Sequence, residues 1–522
     1  MVRNDVPRSK DAPKKGLKLS RRDLAHVMGT SALAAVSLGG VTGLPSVSKV
    51  VSATDSVSDQ WRPKYHFSPA KGWMNDPNGL VYHDGVYHLF YQAGETRRRW
   101  DHATSTDLVT WTEHGTKIPA TSSIQAFSGG AVTDHENTAG FGEDALLCMY
   151  TGHHDDGTED QRIAYSTDNG ETVHKYDGNP VIPSDVGDFR DPNPFWYDSD
   201  ESWRMVVSRV QPTDGRPAGI EIYSSENFVD WAYESTYRSG VEGWECPSLI
   251  ELPVEGANET RWVLPVSPME PRSVEFHVGH FTGTDFIAEN VVRADYGDDF
   301  YATQCWGNTP TERGLNITWM NNWEYAMEGP NPGWRGAMTV PRTVTLKERG
   351  ETTDVRQHPA DEITATRTKT LVELDSEIIT PSKDPLAKQD VEERTVELIG
   401  TIDPLSSDRV GLRVREGDTQ ESVISYDVVG EVLHFDRTNA GEFFDAEYYG
   451  TSSMPMEPLD DGTIELRVLI DRCSIEVFAN NGRRTMTNLV YPDWNSTGIS
   501  LFAEEGAAKV EHLIAYELSD NQ

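Results

Sequence analysis

Three carboxylates stand where a side-chain acid could do chemistry. Asp76 lies in Trp73-Met74-Asn75-Asp76-Pro77-Asn78-Gly79, Asp191 in Phe189-Arg190-Asp191-Pro192, and Glu245 in Trp244-Glu245-Cys246-Pro247. Each has a plain structural reading. Asn-Asp-Pro-Asn-Gly reads as a turn, because Pro fixes φ and Gly accepts a positive φ. Arg190 and Asp191 read as a surface pair, and Glu245 as a strand residue facing solvent. The chemical reading starts from the flanks of Glu245, which are large and apolar or soft. Such a setting keeps a carboxyl protonated, as a general acid requires. Two acids suffice to cleave a glycosidic bond: one attacks or activates water, and the other protonates the leaving oxygen. The aromatic residues around all three would serve as platforms for a sugar ring.

The elements that must position these acids are strands. Gly (43) and Pro (29) are frequent, 14 Trp and 19 Tyr are present, and stripes at helical spacing are hard to find. That composition favours many short strands joined by turns. Ser105-Thr106-Asp107-Leu108-Val109-Thr110-Trp111 resembles Ser225-Glu226-Asn227-Phe228-Val229-Asp230-Trp231, with Ser166-Thr167-Asp168-Asn169-Gly170 between them and Gly283-Thr284-Asp285-Phe286 beyond. The marker positions 107, 168, 227 and 285 are spaced by 61, 59 and 58 residues. A turn recurring about every 60 residues suggests the blades of a propeller, five of them over residues 61–346. Residues 347–390 are polar and charged and read as a linker. Period-2 segments return over 391–520, including Thr463 to Ile470 and Ser474 to Phe478, and predict a β-sandwich. Asn480-Asn481-Gly482 predicts a hairpin after Phe478. The fold class expected is therefore all-β, a five-bladed propeller followed by a sandwich.

Residues 1–53 are set apart from the fold. Basic residues precede Ser20-Arg21-Arg22-Asp23-Leu24, a weakly apolar stretch follows, and Val51-Ser52-Ala53 ends in small residues. This predicts a twin-arginine export signal and a secreted protein, with retention at the cell surface left open. The whole chain has a formal charge of −38; nine of its 46 basic and three of its 84 acidic residues fall in this segment, so the remainder carries about −44. Nucleic acid and anionic membranes are repelled by such a chain and are excluded as partners. Acids spread along the whole length predict a halophilic protein, since self-repulsion is screened when the Debye length falls to ~3 Å in molar salt. Cys148, Cys246, Cys305 and Cys473 lie far apart, without metal spacing, and are expected as buried free thiols. Oligomeric state is not legible.

The ordered set Trp73 to Gly79, Phe127-Ser128-Gly129, Phe189 to Pro192 and Trp244 to Pro247 resembles glycoside hydrolase family 32, the β-fructosidases. Supporting segments are Phe90-Tyr91-Gln92, Trp100-Asp101-His102, Met149-Tyr150-Thr151-Gly152, Asp299-Phe300-Tyr301-Ala302, Trp334 to Arg342 and Asp471 to Phe478. The resemblance implies a five-bladed propeller with the active site in its central funnel, and then a sandwich. It implies that Asp76 is the nucleophile, Glu245 the acid/base and Asp191 a transition-state stabiliser. Asn75, Gln92, Trp100, Ser128, Arg190 and Trp334 match positions lining the fructose pocket. The substrates implied are fructans (levan, inulin) and sucrose, cleaved with retention, with no metal and no organic cofactor. Retaining chemistry sets the two working carboxyl groups ~5–5.5 Å apart. A fructosyltransferase and a non-catalytic fructan-binding protein are the competing expectations. The sequence departs from the family at Gly130, where Ser is frequent, and at Asp101, where Gly is frequent. Both are expected near the pocket rim.

Overall fold

The computed structural model describes residues 60–519 apart from 214, 241, 312, 351, 390 and 442–449. The expected export signal, residues 1–53, lies outside the described residues. Strands dominate because apolar side chains alternate with exposed positions along short runs: Ile250–Glu255, for example, buries Leu252 and Val254 between exposed neighbours.

The strands from Gly72 to Pro359 group into five successive antiparallel four-stranded blades; Trp334–Arg335 adds a parallel strand to the first, and a short parallel pairing of Val254 with Leu346 joins the fourth to the fifth. Their innermost strands are Gly72–His83, Ile124–Asp134, Phe189–Tyr197, Ile250–Glu255 and Tyr301–Cys305. A two-residue strand, Trp244–Glu245, precedes the fourth and pairs with Thr260–Pro268. The turns picked out by their 60-residue spacing join the third strand to the outermost strand in four blades: Arg99–Ser105 to Thr112–Ile118, Glu159–Ser166 to His174–Lys175, Gly219–Ser225 to Ala232–Tyr237, and Glu275–Phe281 to Phe286–Arg293. Their chemistry explains the repeat. Asp107 Oδ1 accepts the backbone N–H groups of Val109 and Thr110 at 2.9 and 2.7 Å, and Asn227 Oδ1 accepts those of Val229 and Asp230 at 3.0 and 2.8 Å. Asp285 differs, since there its own N–H donates to Thr282 Oγ1.

The polar stretch expected as a linker is folded. Arg342–Arg349 and Thr352–Pro359 are the third and outermost strands of the fifth blade, so the blade runs past residue 346. A 3-10 turn, Asp361–Thr366, leads to Arg367–Ile379, which already belongs to the sandwich and pairs with Ala508–Leu518. An outer blade strand and an edge strand each bury one face, and their charged outer faces made the composition look like a connector.

The sandwich stacks a six-stranded sheet on a five-stranded one. Val396, Leu398 and Ile402 of one face Val410, Leu412 and Val414 of the other in a single apolar core. The predicted hairpin is present, with Asn480, Asn481 and Gly482 all at positive φ (47°, 57° and 70°). Buried charge joins the two parts: Glu476 accepts from His66 at 2.8 Å and Arg342 at 2.5 Å, Asp471 accepts from His66 at 2.7 Å, and Arg342 reaches Asp295 at 3.1 Å. All four cysteines are buried and free.

Candidate active site

The innermost strand of every blade carries one residue more than its partner at the same height. In blade one, Met74 to Pro77 spans Ala93 to Tyr91; in blade two, Ala126 to Gly129 spans Gly152 to Tyr150. In blade three, Arg190 to Asn193 spans Ser208 to Val206; in blade five, Tyr301 to Gln304 spans Trp319 to Ile317. In blade four, Glu245 to Ile250 spans Ser267 to Val263. An extra residue bends the strand and re-aims its side chains. Asp76, Ser128 and Asp191 sit within these bulges, and Glu245 and Tyr301 sit at their edges. The segment read as an Asn-Asp-Pro-Asn-Gly turn is thus a bulged strand. The backbone is held at positive φ at Asp191 (64°), Cys246 (52°) and Ala302 (62°), conformations that non-glycine residues adopt at a cost and that cluster at functional sites.

Four residues close a ring of hydrogen bonds around the first acid. Asn75 Nδ2 donates to Asp76 Oδ1 (2.9 Å) and to Gln92 Oε1 (2.6 Å); Gln92 Nε2 donates to Ser128 Oγ (3.1 Å), and Ser128 Oγ donates to Asp76 Oδ2 (2.6 Å). The Trp73 indole N–H fixes Asn75 from behind at 2.6 Å. Burial raises the Asp76 carboxyl above its ordinary range; the bonds from Ser128 and Asn75 oppose this, and the Glu245 charge adds to it.

Asp191 meets Asp76 at Cys246, the residue that follows Glu245. Its thiol lies 3.8 Å from Asp76 Oδ2 and 3.6 Å from Asp191 Oδ2, and its backbone N–H donates to Asp191 Oδ2 at 2.9 Å. Burial first, and then the charges of Asp191 and Asp76, hold the thiol well above its usual range, so it stays protonated and is no nucleophile. Asp191 is pushed up to about 8 by burial and by the charges of Glu245 and Asp76. Glu245 is not in the apolar setting expected. Trp244 turns away to stack on Tyr237, Cys246 turns toward the two aspartates, and the Glu245 carboxylate accepts from Arg190 Nη1 at 3.0 Å and from the Tyr301 hydroxyl at 2.7 Å. Arg190 is itself forked, reaching Glu159 at 3.1 Å and Asp188 at 2.5 Å.

The structure therefore brings together Asp76, Asn75, Gln92, Ser128, Asp191, Arg190 and Glu245. The contacts of Trp100 and Trp334 run to other residues. Trp100 is fully buried behind the funnel, packed with Phe90 and Tyr150, where its N–H holds the Phe127 carbonyl at 2.8 Å. Trp334 lies beside Gly72 in a short parallel strand, with the Arg62 guanidinium over its ring at 4.6 Å. Neither departure from the family pattern lies at a rim. A Cβ on Gly130 would come within 2.9 Å of Asn193 and Pro194, so blades two and three pack there without room for a side chain. Asp101 is tied to Arg99 and Thr116 on the third strand of blade one.

Three residues of the site were missed. Tyr301 and Thr151, whose hydroxyl accepts the Asp191 N–H at 3.0 Å, stand in segments already singled out as motifs. Glu159, which anchors Arg190, carries no local signal. An arrangement of this kind, with a bonded carboxylate facing an acid held by Arg and Tyr, is suited to double displacement at a sugar carbon.

Comparisons with known proteins place the chain in a family. Residues 66–359 match the Glycosyl hydrolases family 32 N-terminal domain and residues 351–517 the family 32 C terminal domain. The levanase of Bacillus subtilis (strain 168) is 38% identical over 487 residues, covering 88% of this chain and 71% of that protein. The extracellular exo-inulinase of Aspergillus awamori is 32% identical over 88% of this chain and 95% of its own length; the crystal structure of exo-inulinase from that organism superposes with a TM-score of 0.82, 29% identity, and 88% and 99% of the two chains covered. The β-fructofuranosidase of Schwanniomyces occidentalis, complexed with fructosyl-erythritol, gives a TM-score of 0.80 at 28% identity over 88% of this chain and 98% of that one. With the propeller, the sandwich and both halves of the sequence in agreement, this chain belongs to glycoside hydrolase family 32.

Proposed function

We propose that this chain is a retaining β-fructosidase that releases terminal fructosyl units from fructans (levan, inulin) and sucrose. Asp76 is the nucleophile, Glu245 the acid/base and Asp191 the stabiliser. The observation that carries this reading is the meeting of Asp76 and Asp191 at Cys246, beside Glu245, whose charge acts on both. Relatives named levanase, exo-inulinase and β-fructofuranosidase support the substrate class.

Protonated Glu245 gives its proton to the glycosidic oxygen while Asp76 attacks the anomeric carbon, through a transition state of oxocarbenium character. Water, activated by the same Glu245, then releases fructose. Asn75 and Ser128 fix the attacking carboxylate, so little reorganisation is left for the chemical step. Arg190 and Tyr301 fix the rotamer of Glu245, and burial together with the Glu245 charge keeps Tyr301 a phenol that donates. Relatives described as extracellular support secretion, with Arg21-Arg22 pointing to the twin-arginine route.

The test is the set of sugars released from sucrose, inulin and levan by the wild type, Asp76→Asn and Glu245→Gln, with the first-formed anomer followed by NMR. Fructose release with retention, lost by several orders of magnitude in both variants, is expected. Near-normal turnover by either variant, or inversion at the anomeric carbon, would refute the assignment.

A further inference from the structure

The cation of the site stands on one side. Arg190 pairs with Glu245, whereas Asp76 takes its bonds from the neutral groups of Asn75 and Ser128. The segment between the second strand of blade one, Val86–Ala93, and the start of the third supplies three consecutive arginines. Arg97 pairs with Asp155 at 3.1 Å and Arg99 with Asp101 at 2.9 Å. Arg98 has no carboxylate within ion-pair distance among the described residues. Its guanidinium lies instead over two indoles, 5.1 Å from the Trp73 ring and 5.6 Å from the Trp323 ring, and its Nη1 donates to the Gly94 carbonyl at 2.5 Å. Gln125 Oε1 fixes its backbone N–H at 2.8 Å. The indole beneath Arg98 is the one whose N–H reaches Asn75, and Asn75 in turn bonds Asp76.

We propose that Arg98 is a positioning residue for the nucleophile: a counter-charge, held off by two indole faces, that keeps Asp76 ionised without occupying either carboxylate oxygen. A contact pair would cover a lone pair that must attack carbon; a stacked guanidinium supplies the charge and leaves the oxygen free. The electrostatics agree in both directions. The Arg98 charge works against the burial that raises Asp76, and the Asp76 charge works against the burial that lowers Arg98. The other charged groups facing Asp76 are Glu245 and Asp191, with the Cys246 thiol between them and Arg190 beyond; Glu95, paired with Arg335 at 3.6 Å, faces Arg98.

The inference rests on the role given to Asp76 above, so its test has an arm that needs no turnover. The first arm is the pH dependence of kcat/KM on sucrose for the wild type, Arg98→Met, Arg98→Gln and Arg98→Lys. The acid limb is expected to move up by about one pH unit in the two neutral variants, the basic limb to stay, and Lys to restore most of the shift. The second arm is the 13C titration of the Asp76 carboxyl in the resting protein, assigned by its loss in Asp76→Asn, where the same displacement is expected. An unmoved acid limb, or a raised KM with an unchanged profile, overturns the proposal, because the guanidinium would then serve the sugar and not the acid. An unmoved carboxyl titration overturns it without reference to any substrate. A displaced titration in a protein that releases no fructose would strike the functional reading alone.

Discussion

Raising the pH from 6 to 10 is expected to weaken the joint between propeller and sandwich, through His66. Its ring is fully buried, with Nδ1 2.7 Å from Asp471 and Nε2 2.8 Å from Glu476. Burial alone would lower the imidazole, but the two bonds and then the two charges outweigh it and push the ring up to about 9 from an ordinary 6.5. Its partners move the other way: Asp471 and Glu476 are held below their ordinary values against the burial that would raise them. A rise of about 2.5 units corresponds to about 3 kcal/mol of folding free energy at 1.36 kcal/mol per unit. The folded value lies above the unfolded one, so the contribution is complete below pH 6.5 and is lost as pH climbs through 9. The measurement is the unfolding free energy from denaturant titration of the wild type and His66→Gln at several pH values from 6 to 10. The wild-type advantage should fall by about 3 kcal/mol over that range and should barely respond to salt, because the pair is out of solvent. An advantage that stays flat with pH would show that the ring is neutral in the folded protein and would refute the account of this joint.

Three further outcomes follow from the site and the surface. Burial and the charges of Glu245 and Asp76 raise Asp191, so fructosyl hydroxyls donating to its carboxylate should expel protons on binding near neutral pH; calorimetry in buffers of different ionisation heat reads this directly, and a buffer-independent heat would contradict it. Ser128→Ala removes a 2.6 Å bond to the nucleophile, so kcat/KM should fall about tenfold to a hundredfold and its acid limb should move to higher pH, as Asp76 loses a group that lowers it. The formal charge of −38 over the whole chain predicts that molar salt raises the unfolding temperature and preserves activity; equal stability in dilute buffer would remove the halophilic reading.

The sequence made the alternation of short strands visible, and with it the class of fold. The blade count was visible because Asp107, Asp168 and Asn227 each accept from the serine two residues before, which leaves a mark at fixed spacing. The limit of the fifth blade was not visible. Arg342–Arg349 and Thr352–Pro359 bury one face only, and their charges read as a connector until the partner strand was known. The three acids were legible as acids, but their neighbours were not. Strand alternation puts Trp244 and Cys246 on other sides from Glu245, so the groups that touch its carboxylate come from Arg190 and Tyr301, 55 and 56 residues away. Trp100 shows the converse: an aromatic residue in a motif serves here by packing behind the site, and only burial reveals it.

The bulges explain why a five-fold scaffold carries a site with no five-fold symmetry. Each innermost strand gains one residue at the same height, and a strand cannot absorb an extra residue without leaving a backbone group out of the ladder. Proline has no N–H to leave out, so it belongs at such a place. It follows the bulged residue in three blades, at Asp76-Pro77, Asp191-Pro192 and Cys246-Pro247. The pattern that reads as a turn in isolation is therefore the mark of a strand reshaped at the funnel. Between the prolines the scaffold fixes only where a side chain emerges, and the residue placed there decides what it does. Blade one places an acid held by neutral donors, and blade two the serine that donates to it. Blade three places an acid that burial pushes toward its neutral form, and blade four an acid next to a thiol that stays protonated. Equivalent backbone with unlike side chains lets neighbouring carboxylates take separate parts of one displacement.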